Sequence, residues 1–398
     1  MRTRIWPYMT AIAAFAALSI ADRSEGAPPR DKTVRYVVIR LDTLGGSAGG
    51  GISINNKSWM TGVSTFEGEQ TAHATLWRKG ETIDLGTLGG PNSAVGWPVK
   101  SNDGTIVGIA ETGADQPLGE RFSCVPFFGT PASGKVCRGF LWRDNAMVGL
   151  EPFDGGDNSY AAGANNRGQI VGWAENGTHD GSCVAPQVLQ FRAALWSASD
   201  PGAAPEVLLP LQGDSSSSAT AINESGRIVG ISGACDRAFG RLSARKAVVW
   251  EDGVPQPLPD LGGVAWNTPA ALNQHGDAAG FANTAGGSGL SAHAVLWPRE
   301  GGIVDLKTVD DDVISLAFGI NARRQVVGQS IGAAGSRAFL WQDGVMTDLN
   351  SAVADGSPFL IFANDINDHG EIAGQGCMEC DAGETFAVKL IPVNGGAK

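Results

Sequence analysis

Ala221-Ile-Asn-Glu-Ser-Gly-Arg-Ile-Val-Gly230 decides how this chain is read, because it recurs. Close copies are Asn165-Asn-Arg-Gly-Gln-Ile-Val-Gly172, Asn273-Gln-His-Gly-Asp-Ala-Ala-Gly280, Asn321-Ala-Arg-Arg-Gln-Val-Val-Gly328 and Asn367-Asp-His-Gly-Glu-Ile-Ala-Gly374. Looser copies run from Asn55 to Gly62 and from Ser101 to Gly108. The closing glycines, at 62, 108, 172, 230, 280, 328 and 374, are 46, 64, 58, 50, 48 and 46 residues apart. A phrase repeated at that period is the mark of a repeat architecture, here of seven units.

A second phrase follows the first six copies and ends in Trp77, Trp142, Trp196, Trp250, Trp297 or Trp341. A short turn such as Gln342-Asp343-Gly344 and an apolar segment such as Val345 to Leu349 come next. Each unit therefore predicts four short strands joined by tight turns. In the first turn Asn bonds its own backbone and the fourth-position Gly takes φ > 0. That turn role accounts for Asn165, Asn223, Asn273, Asn321 and Asn367 without a ligand.

Seven four-stranded units predict an all-β, seven-bladed β-propeller over residues 35–398. The seventh unit stops after its third strand, near Phe386 to Ile391, while Tyr36 to Leu41 matches a fourth strand. The N-terminal strand is thus expected to complete the last blade and leave no exposed edge. Small residues on the first strands (Ala161, Gly163, Ala219, Ala221, Ala317, Gly319) leave room for the repeated Trp of a neighbouring blade. Trp142, Trp250 and Trp341 are accordingly expected in the core rather than in a ligand-stacking ladder.

The phrases Arg337-Ala-Phe-Leu-Trp341, Ile320-Asn321, Gln325-Val-Val-Gly328 and Asp84-Leu-Gly-Thr-Leu-Gly-Gly90 resemble the bacterial extracellular HAF-repeat proteins. Ala72-His73-Ala74 and Ala292-His293-Ala294 match the His-Ala that opens that family's namesake motif. The resemblance spans residues 35–391 and implies a secreted repeat protein with no established activity and no catalytic residues to carry over. It departs at Ser101, Arg324 and Val388, where Asn, Gly and Trp are expected, which points to irregularity in those blades.

Residues 1–21 read as a secretory signal: Arg2 and Arg4, an apolar run from Met9 to Ile20, and the small-x-small pattern Ser19-Ile20-Ala21. Residues 22–34 read as a linker. No later stretch is long and apolar enough to span a bilayer, so an exported monomer, periplasmic or extracellular, is expected. The net charge of −12 argues against nucleic acid or an anionic membrane surface as a partner. With 42% hydrophobic and only 18% charged residues, the chain is too apolar to be disordered.

Export makes the six cysteines disulfide candidates. The favoured local bridges are Cys124–Cys137 and Cys377–Cys380, leaving Cys183–Cys235, although six cysteines allow 15 pairings. The insertions Gly113–Arg138, Glu175–Arg192 and Ser232–Arg245 hold four of the six, predicting one loop-rich, disulfide-pinned face centred on blades two to four. Variable loops on a rigid scaffold are where binding concentrates.

Chemistry is sparse. His179, next to Asp180, is the one His inside an insertion, and Ser215 to Ser218 lack a nucleophile elbow. Asp154 with Asp157, and Asp310, Asp311 and Asp312, lie in blade-to-blade links and suit a hard cation such as Ca²⁺, without EF-hand spacing. Trp97, Tyr160 and Trp266 fall outside the Leu-Trp phrase, near first strands, and offer an aromatic platform for sugars near the axis. The favoured reading is a non-enzymatic exported protein that binds a glycan, a protein or a surface component on its loop-rich face. The alternative is a carbohydrate-active or ester-cleaving hydrolase or lyase using paired carboxylates, with Ca²⁺ as its cofactor.

Overall fold

The computed structural model describes residues 35–68, 71–120, 125–128, 133–236, 238, 240–286, 291–380 and 384–393. The predicted signal and linker, and Cys124, lie outside these residues.

The chain forms seven four-stranded antiparallel sheets, one per repeat. Blade 3 shows the plan: Ser159–Ala164 innermost, then Gln169–His179, Leu189–Ser197 and Glu206–Leu208. Blade 7 takes three strands from the C-terminal end, Phe359–Ile366, Ile372–Cys377 and Phe386–Pro392, and its outer strand, Tyr36–Arg40, from the N-terminal end. Tyr36 lies opposite Pro392 and Arg40 opposite Val388. The ring therefore closes as the sequence predicts.

The closing glycine of each repeat has a packing reason. The first strand bulges beside it, with register shifts at Ala161/Gly163, Ala219/Ala221 and Ala317/Gly319. A Cβ on Gly172 would stand 1.9 Å from the Tyr160 carbonyl oxygen, and one on Gly230 2.1 Å from that of Ser218. No side chain fits there.

Trp142, Trp250 and Trp341 are buried, as expected. The indole Nε1 of Trp250 donates to Leu209 O (2.8 Å), that of Trp196 to Glu151 O (2.8 Å) and that of Trp77 to Asp42 O (2.7 Å). Each acceptor lies in the link arriving from the preceding blade, so the Trp staples its blade to that neighbour. In blade 7 the equivalent position is Leu390, two residues beyond Val388. Leu390 pairs with Ile372 as Trp341 pairs with Val326. An apolar Leu fills the Trp position, and the irregularity of blade 7 lies in its inner pair, whose register shifts at both Leu360/Phe362 and Ala363/Asp365. Blade 6 is regular: Arg324 takes φ 57° in place of Gly, and its guanidinium meets the Asp277 carboxylate at 2.8 Å.

A further staple runs through buried serines. Ser159 Oγ accepts from Gly139 N (3.0 Å) and donates to Leu150 O (2.8 Å), both in blade 2. Ser217 does the same between Ala193 N (3.0 Å) and Leu208 O (3.0 Å). Ser217 is thus a structural tie between blades 3 and 4.

Candidate functional site

The two ends of the ring differ in build. One end carries the first–second turns, and there the repeated Asn does two jobs. Asn223 Oδ1 accepts from Ser225 N and Arg227 N (both 3.1 Å), closing its own turn. Its Nδ2 donates to Asn273 O of the next blade (3.2 Å). Asn273 bonds Asn321, Asn321 bonds Asn367, Asn367 bonds Asn55 and Asn55 bonds Ser101 in the same way. Asn165 joins at Asn223. Ser101 lacks the amide, so this inner belt stops there, and its hydroxyl turns to Asp103 (2.5 Å).

An outer belt runs through the following residue. The side chains of Asn102, Asn166, Glu224, Gln274, Asp368 and Asn56 accept from the backbone N–H of Asn56, Asn102, Asn166, Glu224, Ala322 and Asp368 respectively. Ala322 offers no acceptor to Gln274, and this belt is interrupted there.

The axis is filled. Trp97 Nε1, from blade 2, donates across it to Ala270 O of blade 5 (2.6 Å). Lys100 Nζ donates to the Asp365 carboxylate and to Ile366 O (2.9 Å) of blade 7.

The other end carries the insertions, which interlock. Cys183 and Cys235 are bridged, tying the blade 3 insertion to that of blade 4. Cys377 and Cys380 are also bridged, and Cys137 is disulfide-bonded. Cys124, its expected partner, lies outside the described residues. Asp180 sits beside the first bridge, where Oδ1 accepts from Ser182 N (2.8 Å) and Ser182 Oγ (2.7 Å). Partial burial opposes ionisation, but those bonds outweigh it and hold Asp180 down to about 2. Ser182 Oγ also accepts from Cys235 N (3.3 Å), so the acid organises the turn around the disulfide.

Blades 2 and 3 are joined by carboxylates that no motif announces. Glu120 Oε1 accepts from Val188 N (2.8 Å) and Leu189 N (2.6 Å). Glu175 Oε2 accepts from Asn158 N (2.8 Å) and Asn158 Nδ2 (2.9 Å). The Gln187 amide nitrogen donates to both acids, at 3.3 Å to Glu120 and 2.8 Å to Glu175. The two acids are 2% and 0% exposed. Burial first, then the neighbouring Glu120 charge, pushes Glu175 up to about 7. Burial also raises Glu120, against the Leu189 and Val188 amides. This is a paired-acid arrangement built as a clamp beneath the surface rather than as a cleft.

The sequence-predicted site residues are placed as follows. Trp97 and Tyr160 are buried, in one cluster with Phe127, Trp173 and Phe191. Trp266 packs on another cluster, with Phe281, Phe318 and Phe362. The three aromatics therefore do not form one sugar platform: two are core, and Phe127 covers Tyr160 at a ring-centroid separation of 4.7 Å. His179 is exposed at the end of its strand. Asp312 receives Arg337 Nε and Nη2, both at 2.9 Å, and Asp310 receives Nη1 at 3.4 Å, while Asp311 is exposed. Arg337 thus supplies the positive charge that a cation would otherwise bring to the acidic run. Asp154 is exposed, with its carbonyl accepting from Gly177 N (3.0 Å), and Asp157 lies beside Glu120. Among the described residues, the one group of three metal-ligand side chains within reach of each other is Asp180, Cys183 and Cys235. Its sulfurs are bonded to each other, which leaves no thiolate for a metal.

Sequence reasoning missed the Glu120–Gln187–Glu175 clamp and the Ser staples. The staples had a signal, since Ser159, Ser217 and Ser315 each stand thirteen positions before a closing glycine.

No protein-family model matches the chain. No curated protein matches it. Among solved structures, it is similar to the β-propeller domain of the Trilobed protease from Pyrococcus furiosus, at 11% identity and a TM-score of 0.47, over 78% of this chain and 84% of that one. The acylaminoacyl peptidase of Pyrococcus horikoshii is 9% identical with a TM-score of 0.47, over 83% of this chain and 49% of that one. A polysaccharide lyase, ulvan lyase, is 12% identical with a TM-score of 0.38, over 91% and 95%.

Proposed function

We propose that this is an exported, non-enzymatic propeller of the HAF-repeat kind that holds its ligand on the loop-rich face. The observation that carries the reading is the interlocking of three insertions: Glu120 bonds the blade 3 insertion, and the Cys183–Cys235 bridge ties that insertion to blade 4. Long loops cost entropy to order, and fixing them before a ligand arrives lowers the cost of binding. The described disulfides suit an oxidising compartment. No helix among the described residues is long and apolar enough to cross a membrane.

Glycan and peptide arrays, probed with wild type and with a C183S/C235S variant, test this. Binding that falls at least tenfold in the variant is the expected result, and binding that is unchanged rejects the loop-rich face. The second reading, a hydrolase or lyase, starts from the raised pKa of Glu175 beside Glu120, and it requires the buried clamp to open to a substrate. Turnover of any array hit that disappears in Glu175→Gln, with binding retained, would establish it instead.

A further inference from the structure

The gap in the outer belt coincides with a depression in the turn-bearing end of the ring. The depression lies among the first–second turns of blades 1, 2, 5, 6 and 7 and has about 30 Å³ of room, enough for about two waters. Both residues at the gap, Gln274 and Ala322, line it. Its apolar wall is Ile54, Leu272, Ile320 and Ile366, each the residue before a belt Asn.

Hydrogen-bond accounting shows what this depression is short of. The side-chain oxygens of Asn55, Asn273, Asn321 and Asn367 each close their own turn. Those of Asn56, Asn102 and Gln274 each hold a backbone N–H of the preceding blade. The donors are not matched in the same way. Among the described residues, nothing accepts from Gln274 N, because position 322 carries no side-chain oxygen. The amide nitrogens of the Gln274 and Asn102 side chains also have no acceptor among them. Lys100 Nζ spends two of its three protons, on Asp365 and on Ile366 O (2.9 Å).

On the acceptor side, Asp368 has capacity left. Its two oxygens take Ala322 N (2.8 Å) and Asn56 Nδ2 (2.7 Å), and a carboxylate has about four acceptor positions. Partial burial opposes its ionisation, but those bonds outweigh burial and keep Asp368 a strong acid. With Lys100 neutralised by Asp365, the charge on the lining is that of Asp368. An anion is repelled by that carboxylate, and a cation has no lone pair for Gln274 N. A hydroxyl satisfies both, accepting from an N–H and giving its own proton to a carboxylate. Two neighbouring hydroxyls match the room available.

We propose that this depression binds a neutral sugar, two adjacent hydroxyls of which enter between Gln274 and Asp368 while its C–H face meets the apolar wall. The ligand oxygen takes the place of the acceptor that Ala322 lacks. This site lies at the opposite end of the ring from the loop-rich face and does not depend on it.

The test titrates the protein with the methyl glycosides of glucose, galactose, mannose and xylose, and with glucuronate and glucosamine, read by calorimetry and ligand-observed NMR. Wild type is compared with Ala322→Asn, which fills the gap with an acceptor, and with Ala322→Gly, which leaves it open; melting temperatures confirm that both are folded. At least one neutral glycoside is expected to bind wild type and Ala322→Gly alike, with a Kd of about 1 mM. Its binding is expected to fall about tenfold or more in Ala322→Asn, and glucuronate and glucosamine are expected to bind about tenfold more weakly than the neutral sugar. C183S/C235S leaves this binding unchanged, which separates it from any ligand of the loop-rich face. A glycoside that binds Ala322→Asn as well as wild type sits elsewhere and overturns the site. Equal losses in Ala322→Asn and Ala322→Gly overturn the role of the gap. A preference for glucuronate or glucosamine overturns the ligand class, and no binding of any neutral glycoside at up to about 10 mM overturns the inference.

Discussion

Gly230 and Glu175 carry opposite lessons about single residues. Gly230→Ala places a methyl 2.1 Å from the Ser218 carbonyl oxygen, which only a shift of the inner strand relieves. We expect a loss of about 3 kcal/mol, read by denaturant unfolding. A loss under about 1 kcal/mol would mean that the bulge moves freely. Glu175 is a matter of sign. Its acidity is weakened on folding, so the folded state binds the extra proton. The stabilisation is complete below about pH 4.5 and disappears as pH rises through about 7. Glu175→Gln removes this slope, flattening the decline in stability across that window by up to about 3 kcal/mol. Melting curves of both proteins at pH 5 and pH 8 check it, and parallel declines would refute the assignment. The glycine was visible in the sequence, because it recurs; its reason was not, because the clashing carbonyl belongs to another strand. Glu175 was invisible. Nothing in Glu175-Asn176-Gly177 says that Gln187 and Glu120 will fold over it.

At the level of strands and loops, legibility followed repetition. Strand order, turn chemistry and the Trp staple repeat, so seven copies corrected one another and the blades fell where they were expected. The insertions occur once each and have no copy to compare. Length and cysteine content showed that they matter, and the two fully described bridges pair as favoured. What else holds them could not be read, since Glu120 bonds amides 68 and 69 residues away. The aromatics failed for a related reason. Trp97 and Tyr160 stand near first strands in the sequence, and only long-range packing covers them, Phe127 on Tyr160 and blade 5 on Trp97. The Cys183–Cys235 bridge closes 52 residues. By the chain-entropy relation, C183S/C235S costs about 4 kcal/mol. Limited proteolysis should then cut first within 180–192 or 233–245. Cleavage spread evenly through the blades would show that the bridge supports the ring rather than the loop-rich end.

For the whole molecule, the two belts of turn side chains make neighbouring blades depend on one another outside the sheets. The outer belt is interrupted only where Ala322 has nothing to offer Gln274. Ala322→Asn supplies the missing acceptor, and we expect a gain of about 0.5–1 kcal/mol, or about 1 °C in Tm. Ala322→Val, which has no acceptor, should give none; equal gains from both would trace the effect to propensity rather than to the belt. The pairing of Tyr36–Arg40 with Phe386–Pro392 has a consequence in time as well as in space. A growing chain can fold blades 1 to 6 as they emerge, but the partner of Tyr36–Arg40 emerges only after all of them. Until then that strand has no sheet to join, and the third strand of blade 7 does not yet exist to receive it. Ring completion is therefore a late, non-local event, slow by the cost of closing so long a loop. Refolding should show it as the final phase, and a circular permutant opened between blades 3 and 4 should make that closure local and fast.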